Sequence, residues 1–252
     1  MKVQYCSDLH LEFPENRAYL KKNPLIPIGE ILLLAGDILP LTLINKPCDF
    51  FDYACDNFKQ VYWIPGNHEY YNYDIKDVPK PLNEKIKENL FLVDNQQLKI
   101  NDVNFIFSTL WSHINEQNRW KIQQNVSDFF VIKNHGSNLS VLEFNEFHKS
   151  SLIFLSDALT QTEKEKQVVI THHVPTLLNY PAQYKNSPIN EAFATELFDF
   201  ITGFTADYWI YGHHHSNTPP FKIGETEMLT NQLGYVSHNE NRLFQLNAYF
   251  EI

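Results

Sequence analysis

Cysteine is scarce and unpaired in this sequence: Cys6, Cys48 and Cys55 are three in number, with no Cys-x-x-Cys spacing among them. That fits reduced thiols in a cytosolic protein better than a disulfide framework, with Cys6 reading as a small buried hydrophobe. Long hydrophobic runs are missing too. The longest aliphatic stretch, Ile31 to Ala35, falls far short of the ~20 residues that span a bilayer. Met1-Lys2-Val3-Gln4-Tyr5-Cys6 leaves no room for the charged and apolar regions of a secretory signal. A soluble, cytoplasmic protein is therefore expected. Positive charge is in deficit, with 20 Lys+Arg against 30 Asp+Glu and a formal net charge of −10. Such a surface repels polyanions and disfavours an extended nucleic-acid groove, although bound cations would reverse the sign locally. Glycine and proline, at 8 and 13, form no low-complexity segment or linker, and no internal repeat is present.

What is there is an ordinary globular composition, 43% hydrophobic, in 252 residues. That length suits one domain over residues 1–252, large enough to bury a core without disulfides or a structural metal. Short apolar runs at Val3–Cys6, Ile31–Ala35, Val61–Ile64, Asn104–Ser108, Val168–Thr171 and Tyr208–Tyr211 read as strands, several of them buried on both faces. Helical patterns fall between them, roughly at Asp49–Asn57, Pro81–Glu88, Val141–Gln161 and Glu191–Ile201. Ser140-Val141-Leu142-Glu143 is a capping box at the start of the third. Alternating strands and helices predict an α/β sheet with helices outside and ligands at the carboxyl ends of strands. From Phe221 onward, strand candidates at Phe221–Ile223, Glu227–Thr230 and Phe244–Phe250 predict an antiparallel finish and a second sheet packed on the first. The polar segment Ser112–Asn138 is a long excursion for a compact domain, and at about 112–140 it is expected to form a cap over the cleft.

Five polar clusters follow the apolar runs. In Asp8-Leu9-His10, residues two apart at a strand end share a face, so carboxylate and imidazole can converge while Leu9 faces the core. Gly36-Asp37 pairs a turn-permitting glycine with a carboxylate that either reaches beyond the sheet edge or caps a helix. Pro65-Gly66-Asn67-His68-Glu69 sets an amide oxygen beside an imidazole, so that Asn67 can ligate a metal while His68 serves substrate; Glu69 reads as support for that shell. Thr171-His172-His173 supplies a further imidazole. Spacing alone does not choose between its two histidines, and His172, directly after the strand, is preferred. Gly212-His213-His214-His215 places His213 and His215 on one face, with His214 turned away. Carboxylate, amide and imidazole donors without thiolates suit divalent or trivalent transition metals, Mn, Fe, Zn, Co or Ni.

In this order the clusters D-x-H, G-D, G-N-H-E, a strand-end His and G-H-x-H resemble the signature of the calcineurin-like metallophosphoesterase superfamily, over Val3 to His215. The resemblance implies a four-layer α/β/β/α sandwich of two mixed β-sheets flanked by helices, with a dinuclear centre at strand ends. Carried over by position, Asp8, His10 and His215 would hold one ion and Asn67, His172 and His213 the other, with Asp37 bridging. His68 would stabilise the transition state or protonate the leaving oxygen. The implied reaction is hydrolysis of a phosphomonoester or phosphodiester by in-line attack of a metal-bridging hydroxide. The chain departs from the H-x-P form of the second-metal histidine, since its proline follows His172 by three residues.

A small phosphorylated molecule or nucleotide is the expected substrate. A nuclease would need Lys/Arg tracks, whereas Lys21-Lys22 and Lys164–Lys166 are sparse. A protein phosphatase would need an open groove, which the aromatic-rich Ser112–Asn138 segment and Tyr70, Tyr71 and Tyr73 argue against. A non-catalytic scaffold of the same fold would be expected to lack ligands, and none is missing.

Overall fold

The computed structural model of the chain describes residues 1–161 and 165–252, so Lys164 of the second basic stretch lies outside the described residues. The elements run β1 (Lys2–Cys6), α1 (Pro14–Lys22), β2 (Ile31–Ala35), α2 (Asp49–Asn57), β3 (Gln60–Ile64), β4 (Leu82–Lys87), β5 (Leu90–Asp94), β6 (Gln96–Ile100) and β7 (Val103–Ser108). There follow α3 (Glu116–Gln123), α4 (Asp128–Val131), β8 (Lys133–Asn134), β9 (Ser137–Asn138), α5 (Val141–Gln161), β10 (Lys166–Thr171), α6 (Phe198–Thr202), β11 (Tyr208–Ile210), β12 (Phe221–Ile223), β13 (Thr226–Leu229) and β14 (Tyr249–Glu251).

Two six-stranded sheets form, ordered β14-β1-β2-β3-β5-β4 and β12-β13-β11-β10-β7-β6. In each, the four inner strands are parallel and the edge strands antiparallel, so both sheets are mixed. Alternation along the strands explains the layering. On β2, Ile31, Leu33 and Ala35 join Phe105 and Phe107 of β7 and Val168 and Ile170 of β10 in a core between the sheets. Leu32 and Leu34 face the other way, into a core with Leu20 of α1 and Phe51 and Ala54 of α2. The outer face of the second sheet, through Ile106, Val169 and Trp209, buries Leu155 and Leu159 of α5. The result is the four-layer α/β/β/α sandwich, held by apolar burial on both faces of each sheet. No helix among the described residues is long and apolar enough to cross a membrane.

The capping box closes as its sequence predicts. Ser140 N and Oγ both donate to Glu143 Oε2, at 2.9 and 2.6 Å, and the Glu143 amide returns to Ser140 Oγ at 3.3 Å.

Four expectations need correction. Pro81–Glu88 is not a helix: Leu82–Lys87 is the edge strand β4, paired antiparallel with β5. Leu82 and Ile86 are four apart, a spacing that lines one face of a helix and of a strand alike, and the adjoining β5 settles it. Glu191–Ile201 is not one helix either; a 3₁₀ turn at Asn190–Ala192 is separated from the short α6. The backbone between them instead joins Val174, whose amide donates to Phe193 O, and Thr195, whose amide donates to Val174 O. In Phe244–Phe250 only the end becomes strand, as β14. The finish is antiparallel at β12 and β14, but β13 runs parallel to β11.

Candidate metal centre

Every inner strand that carries a polar cluster ends at the same side of the sandwich. Asp8 and His10 follow β1, Asp37 follows β2, Asn67 and His68 follow β3, His172 follows β10, and His213 and His215 follow β11. The chain turns so sharply there that Asp8, His10, Asp37, His213 and His215 adopt left-handed φ of 55, 45, 56, 78 and 50°. Non-glycine residues in that region cost about 1–3 kcal/mol each and persist only where the surroundings hold them. Backbone bonds from Asp8 N to Gly36 O and from His10 N to Asp37 O, both 2.9 Å, provide that hold.

Two glycines make room. A Cβ on Gly66 would stand 2.2 Å from Asp37 Oδ1 and 2.6 Å from His172 Nε2, and one on Gly36, at φ +86°, 2.3 Å from His172 Nδ1. Side chains at either position would occupy the ground that Asp37 and His172 share.

Two donor sets share a carboxylate, beside a third of His10, Glu12 and His68. Asp8, His10, Asp37 and His215 each offer an atom within 4.8 Å of the others, and so do Asp37, His172 and His213. Asp37 belongs to both. Its Oδ1 accepts the His68 amide at 2.9 Å, leaving Oδ2 at 3.4 Å from His172 Nε2 and 3.8 Å from His10 Nε2. Asp8 Oδ1 lies 3.5 Å from His215 Nε2 and accepts the His213 amide at 3.0 Å. Asn67 Oδ1 is 3.3 Å from His172 Nε2, which is itself 3.1 Å from His213 Nδ1. Of the histidine doublet, His172 points into this cluster. His173 packs against Trp111 and Phe144 instead, with Nδ1 3.4 Å from Thr109 O. His214 turns away to Gln232.

The charge balance is that of a site built for cations. Burial opposes ionisation of Asp37, yet His172 and His68 hold its carboxyl well below the usual range. Burial likewise works against a charged His172, but Asp37 raises it to about 9. Burial is outweighed at His215 by the Asp8 and Glu240 carboxylates, which raise it to about 10. His213 is pushed well below the ordinary imidazole value by burial and by its histidine neighbours. Imidazole nitrogens and carboxylate oxygens crowd to about 3–4 Å, a donor set that suits divalent cations. The residues present therefore fit divalent cations.

Further residues support these donors. Glu69 accepts from the amides of Asp37 at 2.9 Å, Ile38 at 2.7 Å and Gly66 at 2.6 Å and from Trp63 Nε1 at 2.9 Å, tying two strand ends together. Burial and Asp37 push its carboxyl up to about 7. Glu12 Oε1 lies 2.8 Å from His68 Nδ1 and 3.3 Å from His10 Nδ1. Asp128, at the start of α4, accepts from Asn67 Nδ2 and Tyr71 OH, both at 2.9 Å, and so fixes which end of the Asn67 amide faces His172. Beside the cluster lies a cavity of about 400 Å³, walled by Asn125–Asp128 of the 112–138 segment and by residues of the loop between β10 and α6. Glu12 is near enough to Asp8-Leu9-His10 to have been read as a third donor at that strand end, whereas Asp128, Glu240 and the β10–α6 loop offered no signal.

Residues 1–217 match the family model for calcineurin-like phosphoesterase. Uncharacterized protein L509 of Acanthamoeba polyphaga mimivirus is 32% identical over 276 residues, covering 99% of this chain and 96% of that protein. Phosphopantetheinyl hydrolase from Mycobacterium tuberculosis has a similar structure, with a TM-score of 0.68 at 16% identity over 99% of this chain and 95% of the other. At that identity the likeness is one of fold.

Proposed function

Since the chain belongs to the calcineurin-like phosphoesterase family and is thereby a metal-dependent hydrolase, we propose that it cleaves a small phosphomonoester or phosphodiester at a dinuclear centre shared through Asp37. The observation that carries this is the membership of Asp37 in both donor sets. Asp8, His10 and His215 would hold one ion and Asn67, His172 and His213 the other, drawn from Mn, Fe, Zn, Co or Ni. Bound cations at these residues would supply Lewis acidity and lower the pKa of a bound water molecule.

The protein's own groups do the rest. Asp37 Oδ1 anchors the backbone of His68 while Oδ2 stays free for the ions. Glu12 holds His68 through Nδ1, which leaves Nε2 toward Tyr235 OH at 3.4 Å and the cavity. Burial lowers the His68 pKa, but Asp37 and Glu12 more than compensate and keep it above the ordinary value, so the ring is poised to give a proton to a leaving oxygen. The 112–138 segment acts as a cap within a single domain, closing one wall of the cavity and orienting Asn67 through Asp128. A cavity enclosed in this way fits a small molecule better than a protein loop or a nucleic-acid strand.

The test is a phosphoester panel on Mn²⁺-loaded protein, with phosphopeptides and single-stranded DNA alongside. Turnover of small esters that Asp37→Ala abolishes supports the reading. Inactivity on every ester by fully loaded protein would overturn it.

A further inference from the structure

The chain has 20 Lys and Arg, yet among the described residues none lines the cavity beside the candidate centre. Lys185, on the β10–α6 loop that walls it, is exposed and outside the lining. The charged side chains that do face the cavity, apart from histidines, are Asp37, Asp128 and Glu240. The rest of the lining includes the uncharged rings of Tyr71, Tyr180, Tyr184, Phe193 and Tyr235, with Ser187 and Asn190 between them. Tyr71 stacks on His68 at 4.0 Å between ring centroids and Phe193 on His213 at 4.8 Å, so rings flank the reacting position from two sides.

Resting on the phosphoesterase reading, we propose that the cavity selects esters bearing a planar, uncharged group and no negative charge beyond the reacting phosphoryl. Rings offer stacking area to a planar group. A second anionic group, such as a further phosphate or a carboxylate, would face Asp128 and Glu240 with no Lys or Arg in the lining to meet it, and like charges at close range repel. Nucleoside polyphosphates and sugar bisphosphates are thereby disfavoured, and aryl or nucleoside esters with a single phosphoryl group are favoured.

Calorimetric binding to the Mn²⁺-loaded protein separates this from chemistry. Phenylphosphonate and 4-phosphonobenzoate share the phosphonate and ring and differ by one distal carboxylate. The expected result is at least tenfold weaker Kd for 4-phosphonobenzoate, with the gap narrowing to threefold or less in Ser187→Lys, which adds one cation to the half-buried loop wall. Equal Kd values in the unmodified protein would overturn the charge selection and leave the phosphoesterase reading intact. Absence of binding by both phosphonates, together with no turnover of any ester, would overturn the phosphoesterase reading itself.

Discussion

His10 Nε2 and His215 Nε2 stand 2.9 Å apart, while their other ring nitrogens each face a carboxylate, Glu12 Oε1 at 3.3 Å and Glu240 Oε2 at 2.7 Å. Carboxylates on the Nδ1 side fix the proton there and leave the Nε2 lone pairs converging on one point with Asp8 and Asp37. Without a cation, a proton must lie between those two nitrogens. With one, both become ligands. Glu240→Ala should therefore weaken Mn²⁺ binding about 10–100-fold, the usual cost of losing such an outer partner. Calorimetric titration checks this, and an unchanged Kd would show that Glu240 does not orient His215.

The same geometry sets opposite pH dependences for protein and complex. His172 and His215 are raised from 6.5 to about 9 and about 10, so their ion pairs with Asp37 and Asp8 stabilise the metal-free fold fully below pH 6.5. That stabilisation is lost as pH rises through 9 and 10. The Tm of metal-free protein should fall over this range, while Mn²⁺ affinity should rise, because the ions displace those protons. Calorimetry in buffers of differing ionisation enthalpy should register proton release at about pH 7.5. Proton-neutral binding would contradict the assignment.

His68→Ala should keep its metal content and lose kcat, by about 10²–10⁴-fold for alkyl esters and less for p-nitrophenyl esters, whose leaving oxygen needs no proton. Elemental analysis and steady-state kinetics on the two substrate types measure both effects. A uniform loss across leaving groups would argue that His68 positions substrate without giving up a proton.

Asp128→Ala should free the Asn67 amide to rotate, since it removes the acceptor that holds Nδ2 away from His172. Weaker binding of one Mn²⁺ by about 10-fold or more is expected, with the other ion unaffected. Equal weakening of both, or of neither, would show that the cap does not orient this ligand.

Much of the architecture was legible because local and global signals agreed. Ile31–Ala35 is apolar at every position and is buried at every position, and Val141–Gln161 carries its own cap and spans the helix seen. Leu82 and Ile86 misled because a spacing of four fits two periodicities, and only pairing with β5 tells them apart. In the candidate centre, residues at strand ends could be read because β-strand ends on parallel strands converge by topology. Asp128 and Glu240 could not. They reach the centre from the first residues of short helical turns far along the chain, and a lone acidic residue in a polar stretch looks like any solvated one. The doublet at His172 and His173 was undecided by spacing; in the fold one ring meets Asp37 and the other Trp111.

Anomalous diffraction at the Mn edge from Mn²⁺-soaked crystals addresses the shared carboxylate directly. Two peaks ~3.5–4 Å apart, with Asp37 Oδ2 between them, are the expected result. A single peak, or a pair with no contact to Asp37, would contradict a dinuclear centre built on that residue.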